Sequence, residues 1–225
     1  MKKLLVSSQL SKEEADALSH FGKIIRLPPL LSLPSPINSH PDTLIARVGE
    51  KLFTYADYTD GAEILKAEGI NIEKISSSAG NVYPHDVKLN CFEYNGVLFG
   101  RKKSLAEEII SVSGSICDVK QGYAHCATAV FDGGVITADD GIWRAIQKHG
   151  INSLKISPDG VLLDGYNCGF IGGACGQIAN TAVFFGDVKN HPDGKTIVEF
   201  LSGSGLDVVC LSFGKLYDRG GIIVI

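Results

Sequence analysis

Four short stretches carry most of the side chains that could do chemistry: Asn38-Ser39-His40-Pro41-Asp42, Tyr83-Pro84-His85-Asp86, Tyr123-Ala124-His125-Cys126, and Gly169 to Gln177 with Cys175 inside it. An imidazole can move a proton, a thiolate can attack an electrophilic carbon, and a carboxylate can hold a cation. The same residue types also make turns and caps, and His-Pro-Asp and Pro-His-Asp are ordinary loop sequences before a strand. Both readings stand at this point. Metal and dinucleotide chemistry fare worse. His125, Cys126, Cys168 and Cys175 include no Cys-x2-Cys or His-x3-His pair, and the spacing of Cys168 from Cys175 is not diagnostic, so no metal is expected. The glycines of GFIGGACG neither follow a strand nor open a helix in a βαβ unit, and no cofactor is expected. Asp187, His191 and Asp193 read as a polar connecting loop with a helix cap.

The elements that must position these residues are clearest in Ala127–Ser157. Ala127–Phe131 is a β-branched apolar run, Asp132-Gly133-Gly134 signals a hairpin turn, and Val135–Thr137 returns. Asp140 can cap a helix with Ile142, Trp143 and Ile146 at helical spacing, Gly150 stops it, and Ile151–Ile156 makes a further strand. The unit reads strand, strand, helix, strand.

The pattern recurs. Units start near residues 4, 44, 87, 127 and 181, about every 40 residues, with the last spacing stretched by an insertion at 158–180. Ser11 with Glu14, Asp60 with Glu63 and Ser104 with Glu107 read as capping boxes, and Asp193 is a candidate cap in the last unit. A glycine follows each of the five helices: Gly22, Gly69, Gly114, Gly150 and Gly205. Pro28 to Pro36 reads as a stiff, extended connector. Unit one lacks a strand, whereas Gly220-Gly221-Ile222-Ile223-Val224-Ile225 is a strand without a unit. The C-terminus is therefore expected to close a ring at unit one and remove an open edge.

Five strand–strand–helix–strand units, with a Gly-Gly-x-Cys element at Gly172–Cys175, resemble the penteins, the five-bladed α/β propellers of the guanidino-group-modifying-enzyme fold. The likeness is in particular to an uncharacterised bacterial family with that fold. The resemblance implies a single domain over residues 1–225. It also implies a cofactor-independent hydrolase or transferase acting at a guanidino or amidine carbon. In that reading Cys175 is the nucleophile, His125 moves protons, and Asp42 and Asp86 hold the cation, with His40 and His85 beside them. Three departures stand against it. His125 is followed by Cys126 and Ala127 rather than by an acid, the family's His-x-Asp spacing occurs instead at His40 and Asp42, and the family's cysteine tends to lie nearer the chain end. The alternative is a non-catalytic module of the same fold that binds a small ligand or docks a partner.

Bulk properties exclude other classes. A net charge of −4, with Arg101-Lys102-Lys103 as the only basic run, argues against nucleic acid. No window approaches the ~20 apolar residues of a membrane span, and Leu4-Leu5-Val6 is too short for a signal-peptide core. The six cysteines do not form a secreted disulfide scaffold, and Cys91, Cys117 and Cys210 read as small core residues, so a cytoplasmic protein with reduced thiols is expected. The expected ligand is a small cationic or polar molecule. Composition leaves the oligomeric state open.

Overall fold

A computed structural model describes residues 1–225. The chain opens with β1 (Lys3–Ser7), α1 (Lys12–Leu18) and β2 (Lys23–Leu27), with the two strands parallel. Ser11 and Glu14 form the expected capping box: Ser11 Oγ accepts the Glu14 amide at 3.1 Å, and Glu14 Oε2 accepts the Ser11 amide at 2.9 Å. The Pro-rich connector is not extended throughout, because it turns, buries Leu30 and Leu33, and ends in a short 3₁₀ turn at Ser35–Ile37.

One turn of helix, α2 (Pro41–Leu44), leads into β3 (Ala46–Val48), β4 (Lys51–Thr54), α3 (Thr59–Ala67) and β5 (Glu73–Lys74). The next unit is β6 (Phe92–Tyr94), β7 (Val97–Gly100), α4 (Glu107–Val112) and β8 (Ile116–Asp118). It is followed by β9 (Thr128–Phe131), β10 (Gly134–Thr137), α5 (Asp140–Lys148) and β11 (Ser153–Lys155). In each unit the first two strands pair antiparallel and the last joins them in parallel. After β12 (Val161–Leu162), the pattern repeats as β13 (Cys175–Ile178), β14 (Thr181–Phe184), α6 (Gly194–Gly203) and β15 (Asp207–Cys210).

The chain ends with β16 (Leu216–Tyr217), which pairs with β12, and β17 (Ile223–Val224). As expected, β17 supplies the strand that the first unit lacks, setting Leu4 opposite Val224 and Leu5 opposite Ile223 in an antiparallel pair. The result is five three-stranded sheets of one pattern and one two-stranded sheet. α5 shows why the units pack. Its apolar stripe buries Ile142 and Ile146 completely, each contributing roughly 1.5–3 kcal/mol, while Lys148 and His149 face solvent.

Several sequence expectations shift. Residues 181–184 are the second strand of the last unit, not the first; the first is β13, so Cys175 opens that unit instead of preceding it. The second and third units begin at Ala46 and Phe92, because Leu44 ends α2 and Val87 lies in irregular chain between two turns. Two of the three capping boxes do not form. α3 starts two residues early, with Tyr58 at the cap position and Asp60 inside its first turn, and α4 starts at Glu107 after Ala106. Asp139, not Asp140, caps α5, accepting the Ile142 amide at 2.8 Å. Asp193 caps nothing with its side chain and instead accepts the Ser157 amide at 2.6 Å. Cys210 is exposed because it lies in the outer strand of its sheet, and Cys117 is only partly buried.

Candidate functional site

The segments that lead into the first strands are fixed by one device used twice. Thr54 Oγ1 donates to Leu44 O at 2.8 Å, and Thr137 Oγ1 donates to Ala127 O at 2.7 Å. In each case a buried hydroxyl at the end of the second strand holds the carbonyl at the entrance to the first. Ser7 does the comparable work for its neighbour, with its hydroxyl 2.7 Å from that of Ser39.

Asn90 then ties three units together. Its Oδ1 accepts the amides of His125 (2.8 Å) and Cys126 (3.3 Å), and its Nδ2 donates to Asp42 O at 3.0 Å and lies 2.9 Å from Cys126 Sγ. Around it lie buried acids. Asp218 Oδ2 accepts the Phe170 amide at 2.8 Å and Oδ1 accepts the Gly220 amide at 3.1 Å. The backbone packs tightly enough here that a Cβ on Gly173 would stand 1.8 Å from Asp218 Oδ1. Asp42, 2% exposed, keeps both carboxylate oxygens buried with no donor in hydrogen-bond geometry, although the Cys126 thiol and the Asp42 and Thr43 amides stand close enough to moderate its pKa. Burial, followed by the charge of Asp218, pushes its carboxyl well above the usual range. Asp218 is raised less, because its two amide donors and Arg219 oppose its burial.

His40 Nδ1 lies 3.5 Å from Asp218 Oδ1, yet burial and the Arg219 charge hold its imidazole down to about 3, so this is a contact of a neutral ring and not an ion pair. Arg219 stacks 3.9 Å over Tyr217 and pairs with Glu14 at 3.2 Å. Tyr123 donates its hydroxyl to Asp86 Oδ2, leaving Asp86 Oδ1 buried without a partner. The rings of Tyr83, Tyr123 and Phe170 follow one another at centroid distances of 6.2 and 6.0 Å across this cluster.

A cavity of about 400 Å³ adjoins the cluster and takes wall residues from the first strands of four sheets and from β17, among them Arg47, Phe92, Thr128, Cys175 and Val224. His125 lines it with a buried, unpartnered Nδ1, and burial holds its imidazole down to about 4. Cys175 lines it too, but its Sγ lies 3.2 Å from Ile171 O, and burial followed by the Asp218 charge pushes the thiol far up. Burial pushes Cys126 up as well, with the charges of Asp42 and Asp218 adding to it.

A model of a family of unknown function, DUF6873, matches residues 5–223. The chain belongs to that family. No curated protein matches it. Among solved structures it is similar to a cysteine-to-serine variant of C. jejuni agmatine deiminase with substrate bound, at a TM-score of 0.57 and 12% identity, covering 99% of this chain and 92% of that one. Dimethylarginine dimethylaminohydrolase from Pseudomonas aeruginosa, a cysteine-to-serine variant complexed with citrulline, gives 0.55 and 10% over 93% and 91% of the two chains. An amidinotransferase of the saxitoxin biosynthetic pathway from Microseira wollei gives 0.55 and 8% over 96% and 92%. At such identities the likeness carries the fold alone, and the fold is that of the penteins.

Within this DUF6873 chain, the residues singled out from sequence separate into three places. His125 and Cys175 line the central cavity. His40, Asp42 and Asp86 are buried behind it, with Asp42 beside Asp218 and Cys126. His85 is exposed, on the loop that carries Tyr83. Sequence reasoning missed Asn90 and Asp218. Asn90 is a lone amide in the apolar run Val87–Phe92, and Asp218 precedes the orphan strand as Asp42 precedes β3. Reading the entrance of the closing C-terminal strand, as the entrances of the other first strands were read, would have put Asp218 among the candidates.

Proposed function

We propose that this protein is a binding module, built from five units round one axis as a propeller, that holds a small planar cation of the guanidinium or amidinium type at Asp42 and Asp218. The observation that carries the reading is Asp42: a carboxylate whose two oxygens are both buried without a donor, beside a second buried acid. A forked cation supplies two parallel N–H donors to such a group and offsets the desolvation of both acids. Asp86 Oδ1, also without a donor, extends the acceptor set. The Tyr83–Tyr123–Phe170 ring series borders the site, since Tyr123 donates to Asp86 and the Phe170 amide donates to Asp218. The related folds support the ligand class, since those proteins act on agmatine, dimethylarginine and amidino groups. The cavity shared by all five sheets supports the propeller. Six free thiols fit a reducing, cytoplasmic setting.

A second reading, hydrolysis or transfer by Cys175 with His125 and Asp42, is favoured by the cavity that Cys175 and His125 share. The chemistry weighs against it. Cys175 is a buried, high-pKa thiol beside a carbonyl oxygen, and the Gly-Gly turn nearest the chain end runs into Ile222-Ile223-Val224 with no thiol.

Calorimetric titration with agmatine, arginine and benzamidine tests the binding reading. Saturable binding that weakens at least tenfold in Asp42→Asn is the expected result, and equal affinity in that variant, or none in wild type, overturns it. Treatment with an amidine-bearing electrophile followed by mass spectrometry separates the two readings, because selective, ligand-protected modification of Cys175 would restore the catalytic one.

A further inference from the structure

We infer that the insertion builds a second ligand site, remote in chemistry from the acid cluster, that takes a small uncharged carbonyl compound with one aromatic or branched apolar body. The group that points to it is His191. Its side chain is 1% exposed, and Nδ1 accepts the Asp193 amide at 3.0 Å, which places the ring proton of the neutral imidazole on Nε2. That Nε2–H is buried and has no acceptor. A buried N–H left in this state costs about 1–3 kcal/mol, so an acceptor arriving from outside is rewarded.

His191 lines a pocket of about 160 Å³ walled by Ile156, Pro158, Val161 and Phe170, with Cys168 at its edge. The other polar groups there are committed. Asp139 Oδ1 caps α5 and its Oδ2 accepts Gln121 Nε2 at 3.3 Å, while the Ser157 amide goes to Asp193 at 2.6 Å. The imidazole itself is held rigidly. Gly160, at φ +105°, presses against it so closely that a Cβ there would stand 2.7 Å from His191 Cδ2.

Size and polarity select the ligand. An apolar cavity of roughly 150 Å³ is known to accept benzene, and here the walls are mostly apolar, with His191 Nε2–H as the buried side-chain donor left without a partner. An anion would meet the Asp139 carboxylate at the wall, and a cation would find that carboxylate already spent on the Ile142 amide and Gln121. What remains is one ring, or a branched chain of that size, carrying one carbonyl oxygen for His191 Nε2–H. The site shares the Phe170 ring with the border of the acid cluster but no polar side chain, so Asp42→Asn should leave it unchanged and the two failures are separable.

Acetophenone is the probe and toluene the control of equal shape lacking the acceptor. Cys168 is exposed at the pocket and Cys210 is exposed elsewhere, so the iodoacetamide alkylation rate of Cys168, referred to that of Cys210 by mass spectrometry, reads occupancy. Acetophenone is expected to slow Cys168 at least fivefold and saturably, to leave Cys210 unchanged, and to outdo toluene at equal concentration. The His191→Phe variant should lose that preference. Cys168→Phe changes an exposed residue and plugs the pocket, and it should abolish the saturation-transfer NMR signal of acetophenone even if His191→Phe does not fold. Absence of protection up to the solubility limit, as for a pocket holding only water, overturns the inference. So does equal protection by toluene, or a signal that survives in Cys168→Phe.

Discussion

The side-chain amide of Asn90 lies 2.9 Å from the sulfur of Cys126 while its oxygen accepts the backbone amides of His125 and Cys126. One buried side chain thereby fixes the lip of the fourth unit to the third, and through Asp42 O to the second. Replacing it should be costly well beyond one bond. Asn90→Ala is expected to destabilise the fold by roughly 2–4 kcal/mol, since several buried backbone groups lose their partner at once. Urea unfolding followed by the fluorescence of Trp143, the single tryptophan, measures this, and a loss under ~1 kcal/mol would show that the lips are held some other way.

Asp42 should make the protein less stable as pH rises. Its folded pKa lies near 8 against 3.8 for the free group, so between those values the folded state holds a proton that the unfolded chain has released. Stability contributed at acid pH is therefore lost as pH climbs through that window. Asp42→Asn lacks this titration and should gain on wild type steadily from pH 4 to pH 8, by on the order of a few kcal/mol at the upper end. The same proton must leave when a cation binds, so affinity should strengthen about tenfold per pH unit up to about pH 8. Parallel unfolding and binding profiles check both slopes.

The two buried imidazoles work in the opposite direction. His40 and His125 are held down to about 3 and about 4 from 6.5, so the folded state binds fewer protons than the unfolded chain inside those windows. Their contribution is present above pH 6.5 and lost on acidification. Proton NMR should find both rings neutral at pH 5, and a midpoint near 6.5 for either would contradict its burial.

The matched hydroxyls of Thr54 and Thr137 predict matched costs. Valine at either position keeps the shape and leaves a buried carbonyl, Leu44 O or Ala127 O, without its donor. Each substitution should cost about 1–3 kcal/mol. Near-additive losses in the double variant are expected if the two lips act separately.

Periodicity alone determined much of this fold. Glycine after each helix, the hairpin signals at Gly49, Gly96 and Gly133-Gly134, and the unused apolar strand at the C-terminus set five units and placed Ile223 and Val224 beside β1. Those are local or one-dimensional facts, decided by backbone conformation and by which residues cannot remain in water. Unit boundaries were less legible, because a short apolar run such as 181–184 reads equally well as a first or a second strand until its partner is known.

The site was legible only as a set of residue types. Sequence put His125 and Cys175 at strand entrances, and the structure places them on one cavity. It gave no sign that Cys175 would be buried against a carbonyl oxygen, that His40 would be neutral beside Asp218, or that Asp42 would be left without a donor. Those properties belong to distances between segments far apart in the chain and to the exclusion of water. Tertiary packing alone decides them.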